Sequence, residues 1–213
     1  RLCRTGESCM TEPDSRFDFV NALARETGDM LVQFAANTSL TPSFKADQSI
    51  VTQADKTADR LIHNAIQKSF PGEPVLSEEL QPELPSYLNL SENYTWIIDP
   101  LDGTTNFSLR LPYWGVSIAC LKNGDPFIGA IYFPLLGELY SAQKGVGAYL
   151  NHNLIQSDDA HLYQQISFFS CCSRTYKQYK VTVPYKTSIF GSPSYSLCSV
   201  AKGISSLGIE DTP

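Results

Sequence analysis

The stretch Thr95-Trp-Ile-Ile-Asp-Pro-Leu-Asp-Gly-Thr-Thr-Asn-Phe107 constrains this chain more than any other. It begins as a short apolar strand, Trp96-Ile97-Ile98. Pro100 has no N–H to give a ladder, so the strand is expected to stop at Asp99-Pro100. Asp99 and Asp102 then sit three positions apart on a turn, with Leu101 between them and Gly103 and two hydroxyls after them. Such a turn offers hard oxygen ligands on one side and backbone N–H groups on the other. That is what binding Mg²⁺ together with a phosphate requires. Taken alone, Asp-Gly is also ordinary turn chemistry, with both acids in solvent.

Two further pieces lie upstream. One is Val75-Leu76-Ser77-Glu78-Glu79, an apolar run ending in two acids; the other is Lys45-Ala-Asp47-Gln-Ser49-Ile-Val-Thr52-Gln-Ala-Asp55. In this order the three segments resemble the lithium-sensitive, Mg²⁺-dependent phosphatases of the inositol monophosphatase family. Asp99-Pro-Leu-Asp-Gly-Thr-Thr-Asn-Phe107 is most similar to the inositol monophosphatase branch, and the resemblance runs from Lys45 to the region of Gly203.

Composition agrees with a small-molecule enzyme. A chain of 213 residues, 42% hydrophobic, can bury a sizeable core. Net charge is −6 and no basic stripe is present, which argues against nucleic acid as a partner. An acidic protein that handles an anion needs a local positive charge, and a metal supplies it better than scattered lysines. No apolar run approaches the roughly 20 residues of a membrane span, and no signal-peptide pattern is visible. Cys3, Cys9, Cys120, Cys171, Cys172 and Cys198 form no disulfide spacing and no C-x-x-C, so reduced thiols in a cytoplasmic protein are expected, without zinc. Glycosylation-like triplets at Asn37, Asn89, Asn93 and Asn106 are read as chance matches.

Along the chain, residues 1–13 read as a remnant N-terminus, with Met10 a plausible start. Phe17, Val20, Leu23, Met30, Leu31 and Phe34 form one face of a helix over Asp14–Ala36. Thr52-Gln-Ala-Asp55 reads as a capping box, opening a helix with the stripe Leu61, Ile62, Ala65, Ile66, Phe70 and stopped at Pro71-Gly72. A meander follows the motif: Tyr113–Lys122, Phe127–Phe133 and Glu138–Gln143, with Gly145-x-Gly147 as a hairpin turn rather than a phosphate loop. A polar link from Asn151 to Gln165 leads to strands at Ile166–Cys172 and Ser188–Phe190, then a helix with Pro193 in its first turn and Gly203 at its end. His63, His152 and His161 are scattered and read as surface or packing residues. The expected fold is α/β, an α+β layered sandwich. N-terminal helices on an antiparallel sheet (14–155) precede an incomplete second α/β layer (156–213).

The resemblance assigns roles to matching positions. It implies two or three Mg²⁺ ions and a small-molecule phosphate monoester as substrate, and it allows a homodimer. Glu78, Asp99 and the Leu101 carbonyl match the ligands of a first ion; Asp99 and Asp102 match those of a second. Asp55 pairs with Thr104 to handle the attacking water, with Glu78 also counted as catalytic. Backbone N–H groups of Gly103 and Thr104 receive the phosphate, and Asp102, Gly191 and Ser192 hold the polyol. Lys45, Asp47 and Glu79 act through outer-shell waters. The chain also departs from the family pattern. Relatives supply the second ion's last ligand from a Trp-Asp pair, but Trp96 and Trp114 are followed here by Ile97 and Gly115. The first metal site is therefore expected complete, the second incomplete, and the chain truncated with activity reduced or absent. Pro193 lacks the N–H that relatives offer the polyol, and Ser206 stands where some relatives carry a glutamate for the inositol hydroxyls. Alternative substrates are 3′-phosphoadenosine 5′-phosphate, fructose 1,6-bisphosphate and histidinol phosphate. A non-catalytic remnant is the alternative of another class. A calcium-binding module is a poor third reading, because Asp99-x-x-Asp102-Gly103 lacks the alternating ligands and terminal Glu of an EF-hand loop.

Overall fold

The computed structural model describes residues 14–37, 43–44, 50–51, 53–79, 93–157, 168–171, 186–203 and 205–209. The readings made above for residues 1–13, Lys45, Asp47, Thr52, Asn89, His161 and Cys172 lie outside them. Helix α1 spans Ser15–Asn37; short strands β1 (Ser43–Phe44) and β2 (Ile50–Val51) pair antiparallel; α2 spans Gln53–Ser69. Then come β3 (Val75–Ser77), β4 (Tyr94–Asp102) and a single short helix α3 (Thr104–Ser108). Strands β5 (Gly115–Lys122), β6 (Asp125–Phe133), β7 (Glu138–Gln143), β8 (Gly147–Leu150) and β9 (Asn153–Ile155) complete a seven-stranded sheet in the order β3-β4-β5-β6-β7-β8-β9. Strand β10 (Phe168–Cys171) pairs in parallel with β11 (Lys186–Ser188) and with β12 (Ser205–Ile209), and helix α4 (Pro193–Ala201) runs between the last two in sequence.

The sheet is mixed rather than wholly antiparallel. Its meander β4 to β9 is antiparallel, but β3 lies parallel to β4 with Val75 opposite Trp96 and Ser77 opposite Ile98. Glu78 and Asp99 are therefore the next residues of two adjacent strands. A second difference concerns Pro100. Strand β4 does not stop there but runs on to Asp102, because Asp99 faces Ser117 while Asp102 faces Gly115, so β4 carries one extra residue in a bulge. A bulge is one of the few places where a sheet tolerates a residue with no N–H. The polar link also contributes more than expected: Asn151 and His152 turn with φ of 48° and 69°, and β9 joins the first sheet.

Helices α1 and α2 cover one face of this sheet. Val20, Leu23 and Leu31 of α1 and Ile62 and Ile66 of α2 are buried with Trp96, Ile98, Val116 and Ile118 of the strands. The join between helices and sheet is closed by Arg16. Its guanidinium lies 3.7 Å from the Tyr94 ring centroid and 4.6 Å from that of Phe70, and it is paired with Glu73. The same carboxylate accepts the Trp96 indole N–H at 2.7 Å. Burial alone would lower the Arg16 pKa, but Glu73 and Asp14 outweigh it and raise it. On the opposite face α4 packs against Phe133 and Tyr140 through Tyr195 and Cys198, leaving an apolar groove of about 300 Å³ between helix and sheet. Among the described residues no helix is long and apolar enough to cross a membrane.

Candidate functional site

Three segments distant in sequence meet at the end of β4. Asp55 sits in the first turn of α2, where helix geometry fixes it, and it is buried. Glu78 follows β3, and Asp99, Leu101 and Asp102 lie on the last residues of β4 around the bulge. Together with Gly103, Thr104, Thr105, Gly191 and Pro193 they line one cavity of about 200 Å³. Asp55, Leu101 and Asp102 are buried, whereas Glu78, Thr105, Gly191 and Pro193 are exposed at its rim. Four carboxylates thus share a small volume, and no Lys, Arg or His is among the described residues that line it.

Asp102 is the most constrained of these acids, at 7% exposure. Its Oδ2 accepts hydrogen bonds from the Ser192 hydroxyl and, at 3.0 Å, from the Ser194 backbone N–H. Ser192 is the N-cap of α4 and its Oγ also accepts the Tyr195 N–H at 3.1 Å. Proline at the following position fits the N-terminal turn of a helix, where its missing N–H is no loss. A carboxylate at this end of α4 complements the positive end of the helix dipole. Burial raises the Asp102 pKa, the donors from Ser192 and Ser194 lower it, and the charge of Glu78 raises it again, leaving it above 3.8. The field of Glu78 on Asp102 is a second sign that the two acids share one site.

Of the residues singled out from sequence, Asp55, Glu78, Asp99, Leu101, Asp102, Gly103, Thr104 and Gly191 line the cavity, and Thr105 and Pro193 join them. Ser192 does not line it; it is 2% exposed and anchored to Asp102. Gly103 bridges β4 and α3 in the left-handed region at φ 85°, with no room for a side chain: a Cβ would stand 2.7 Å from the Tyr113 carbonyl oxygen. Asn106 belongs to the motif and to a glycosylation triplet but is given no role by sequence reasoning, yet it is buried and its amide is engaged with the Tyr113 and Phe190 carbonyls. An asparagine two positions after Thr104, on the turn that follows a phosphate-type loop, was the available signal.

The donor set suits a hard divalent cation in kind: carboxylate oxygens and one backbone carbonyl, in a polar cavity that lacks any lining base. The charge of Glu78 acts on Asp102 across this space, and a cation between them would offset it. In the present arrangement no three His, Cys, Asp or Glu side chains among the described residues stand close enough to hold an ion.

Comparison with known proteins places the chain. The profile of the inositol monophosphatase family matches residues 12–212. Histidinol-phosphatase of Chlorobaculum parvum is 39% identical over 134 residues, 63% of this chain and 50% of that protein. Fructose-1,6-bisphosphatase/inositol-1-monophosphatase of Aquifex aeolicus is 32% identical over 170 residues, 75% of this chain and 62% of its own length. The chain therefore spans about half to three-fifths of the length of these curated relatives. The IMPase of Thermotoga maritima superposes with a TM-score of 0.78 at 28% identity, over 92% of this chain and 76% of the other. Carboxylates from three segments around a bulged strand end, the layered fold and the match over residues 12–212 agree: this chain belongs to the inositol monophosphatase family.

Proposed function

We propose that this chain is the cation- and phosphate-binding part of a Mg²⁺-dependent phosphomonoesterase acting on inositol monophosphate or a similar polyol or sugar phosphate. The observation that carries the reading is the single cavity lined by Asp55, Glu78, Asp99, Leu101, Asp102, Gly103 and Thr104 without a basic residue among its described lining. A phosphate dianion cannot enter such a cavity unless cations precede it. Glu78, Asp99 and the Leu101 carbonyl would hold the first ion, and Asp99 with Asp102 a second. When bound, those ions would offset phosphoryl charge and make a water more acidic. Thr104, paired with Asp55, would orient that water in line with the ester phosphorus and take up its proton. The Gly103 and Thr104 N–H groups would receive phosphoryl oxygens. Asp102, held in place by the buried Ser192, would fix the alcohol part together with Gly191.

The Trp-Asp pair that the resemblance assigns to the second ion is not within these 213 residues. The cavity holds every ligand assigned to the first ion, so tight binding of one ion is the expected behaviour of this chain. A histidinol phosphate substrate is favoured by the 39% identity to a histidinol-phosphatase, and an inositol substrate by Asp102-Gly-Thr-Thr-Asn-Phe107. Calorimetric titration with Mn²⁺ is the direct test, run beside hydrolysis of inositol 1-phosphate, histidinol phosphate and fructose 1,6-bisphosphate in Mg²⁺. Glu78→Gln and Asp99→Asn should each weaken Mn²⁺ binding at least about tenfold, the usual penalty for a lost carboxylate ligand. Wild-type protein that binds no divalent ion, or variants that bind it unchanged, would overturn the assignment.

A further inference from the structure

Asn106 has no part in the chemistry just described, yet two walls of the cavity converge on it. It lies on α3, two residues after Thr104, at 6% exposure. Its Nδ2 is 2.5 Å from the Tyr113 carbonyl oxygen and 2.8 Å from that of Phe190, a residue 84 positions away. Both partners are acceptors only, so the amide must turn its NH₂ toward them, one hydrogen for each oxygen. The other side of the amide lies against Gly191. A Cβ added at Gly191 would stand 3.2 Å from Asn106 Oδ1 and 3.3 Å from Nδ2. Behind this contact the rings of Tyr113, Phe190 and Tyr195 pack on one another, with centroids 4.9–5.4 Å apart. The segment from Phe190 to Pro193 is thus tied to the motif at two polar points, Phe190 by Asn106 and Ser192 by Asp102, and it supplies the rim residues Gly191 and Pro193.

We propose that Asn106 is a positioning residue that sets where the Phe190–Pro193 strap stands over the cavity, and thereby how the non-phosphate part of a ligand is gripped. The second half of this statement rests on the phosphate-ester reading of the cavity; the first half is a property of the metal-free fold. Asn106 is not among the residues lining the cavity, so its loss should leave cation binding intact while loosening the strap.

The test combines amide hydrogen exchange on the metal-free protein with ligand titrations, using wild type, Asn106→Ala and Asn106→Asp. In Asn106→Ala, exchange at residues 190–196 should accelerate at least about tenfold, as expected when a buried hydrogen-bonded clamp is removed. Asn106→Asp should accelerate it further, because a carboxylate would face two carbonyl oxygens. Peptides from α1 and from β5–β6 should exchange as in wild type. Mn²⁺ affinity should stay within about threefold of wild type, and with Mn²⁺ bound, inositol 1-phosphate should weaken at least about fivefold while inorganic phosphate holds. Should Asn106→Ala fail to fold, Gly191→Ala, which presses on the same contact from the other side, should give the same local acceleration. Unchanged exchange at 190–196, acceleration spread evenly over the fold, or equal loss of Mn²⁺ and inositol 1-phosphate would overturn the proposal. A wild-type protein that binds neither Mn²⁺ nor phosphate would sink the phosphate-ester reading, while the exchange pattern would still decide the role of Asn106.

Discussion

Replacing Gly103 by alanine probes the joint between β4 and α3, and the structure allows its effect to be worked out. Two penalties add. An L-residue held at φ 85°, ψ 42° sits in the left-handed region, a penalty of about 1–2 kcal/mol. The new Cβ would also lie 2.7 Å from the Tyr113 carbonyl oxygen. That oxygen must retreat by about 0.6 Å to reach an ordinary carbon–oxygen contact, and such overpacking costs about 1–3 kcal/mol. The retreat is resisted, because the same carbonyl accepts the Asn106 amide. Stiffening of the unfolded chain returns about 0.4–1 kcal/mol. The net loss is about 2–4 kcal/mol, which for a chain of this size lowers Tm by roughly 5–12 °C. Thermal unfolding followed by circular dichroism measures it. Gly72→Ala is the internal control: φ there is 84° but nothing lies within 4 Å of an added Cβ, so only the dihedral penalty applies. Equal Tm changes in the two variants would show that the contact with Tyr113 carries no energy, and a fall below about 2 °C for Gly103→Ala would refute the whole calculation.

Arg16→Ala should destabilise the fold by about 3–5 kcal/mol, since it leaves the Glu73 carboxylate, 17% exposed, without its guanidinium; a loss under about 1 kcal/mol in urea unfolding would mean the pair behaves as a surface ion pair. Asp102 titrates in the direction that opposes its use as a ligand. Its folded pKa is raised, by burial first, so the folded state holds the proton more tightly than the unfolded chain. The resulting stability is fully present below the ordinary value of 3.8 and is lost as pH rises through the folded value. Asp102→Asn keeps an acceptor for Ser194 but cannot ionise, so metal-free Asp102→Asn should gain on wild type as pH rises above 3.8, as read from urea midpoints; parallel curves would contradict this. Finally, burial pushes the thiols of Cys120 and Cys198 up to about 12, with acidic neighbours such as Glu73 for Cys120 and Asp102 for Cys198 adding to it. Neither should react with a disulfide reagent at about pH 8 until the protein unfolds, and native labelling at either position, located by mass spectrometry, would contradict that.

What was legible in the sequence was local. Pro193 and Gly203 bracket α4, Asn123-Gly124 turns β5 into β6, and the apolar stripe of α2 faces the core, because each signal lies within a few residues of the structure it specifies. What was missed depends on partners far along the chain. Whether Pro100 ends β4 is decided by the register of β5, and β12 is a strand only because β10 accepts it. The grouping of the acids was legible through a resemblance of three motifs rather than through spacing. Nothing near Asp102 or Ser192 announces that they bond each other across 90 positions, nor does anything near Asn106 announce Phe190.

Side chains along a strand alternate between its faces, so two residues an odd number of steps apart in a regular ladder look in opposite directions. Asp99 and Asp102 are three steps apart, so in an unbulged ladder one of them would be turned away from the other, and the bulge beside Pro100 absorbs the odd step. The meeting of these acids is thus a matter of parity. Pairing the same residues in an unbulged ladder would preserve nearly all of the hydrophobic interior, and the acid pair would be lost all the same.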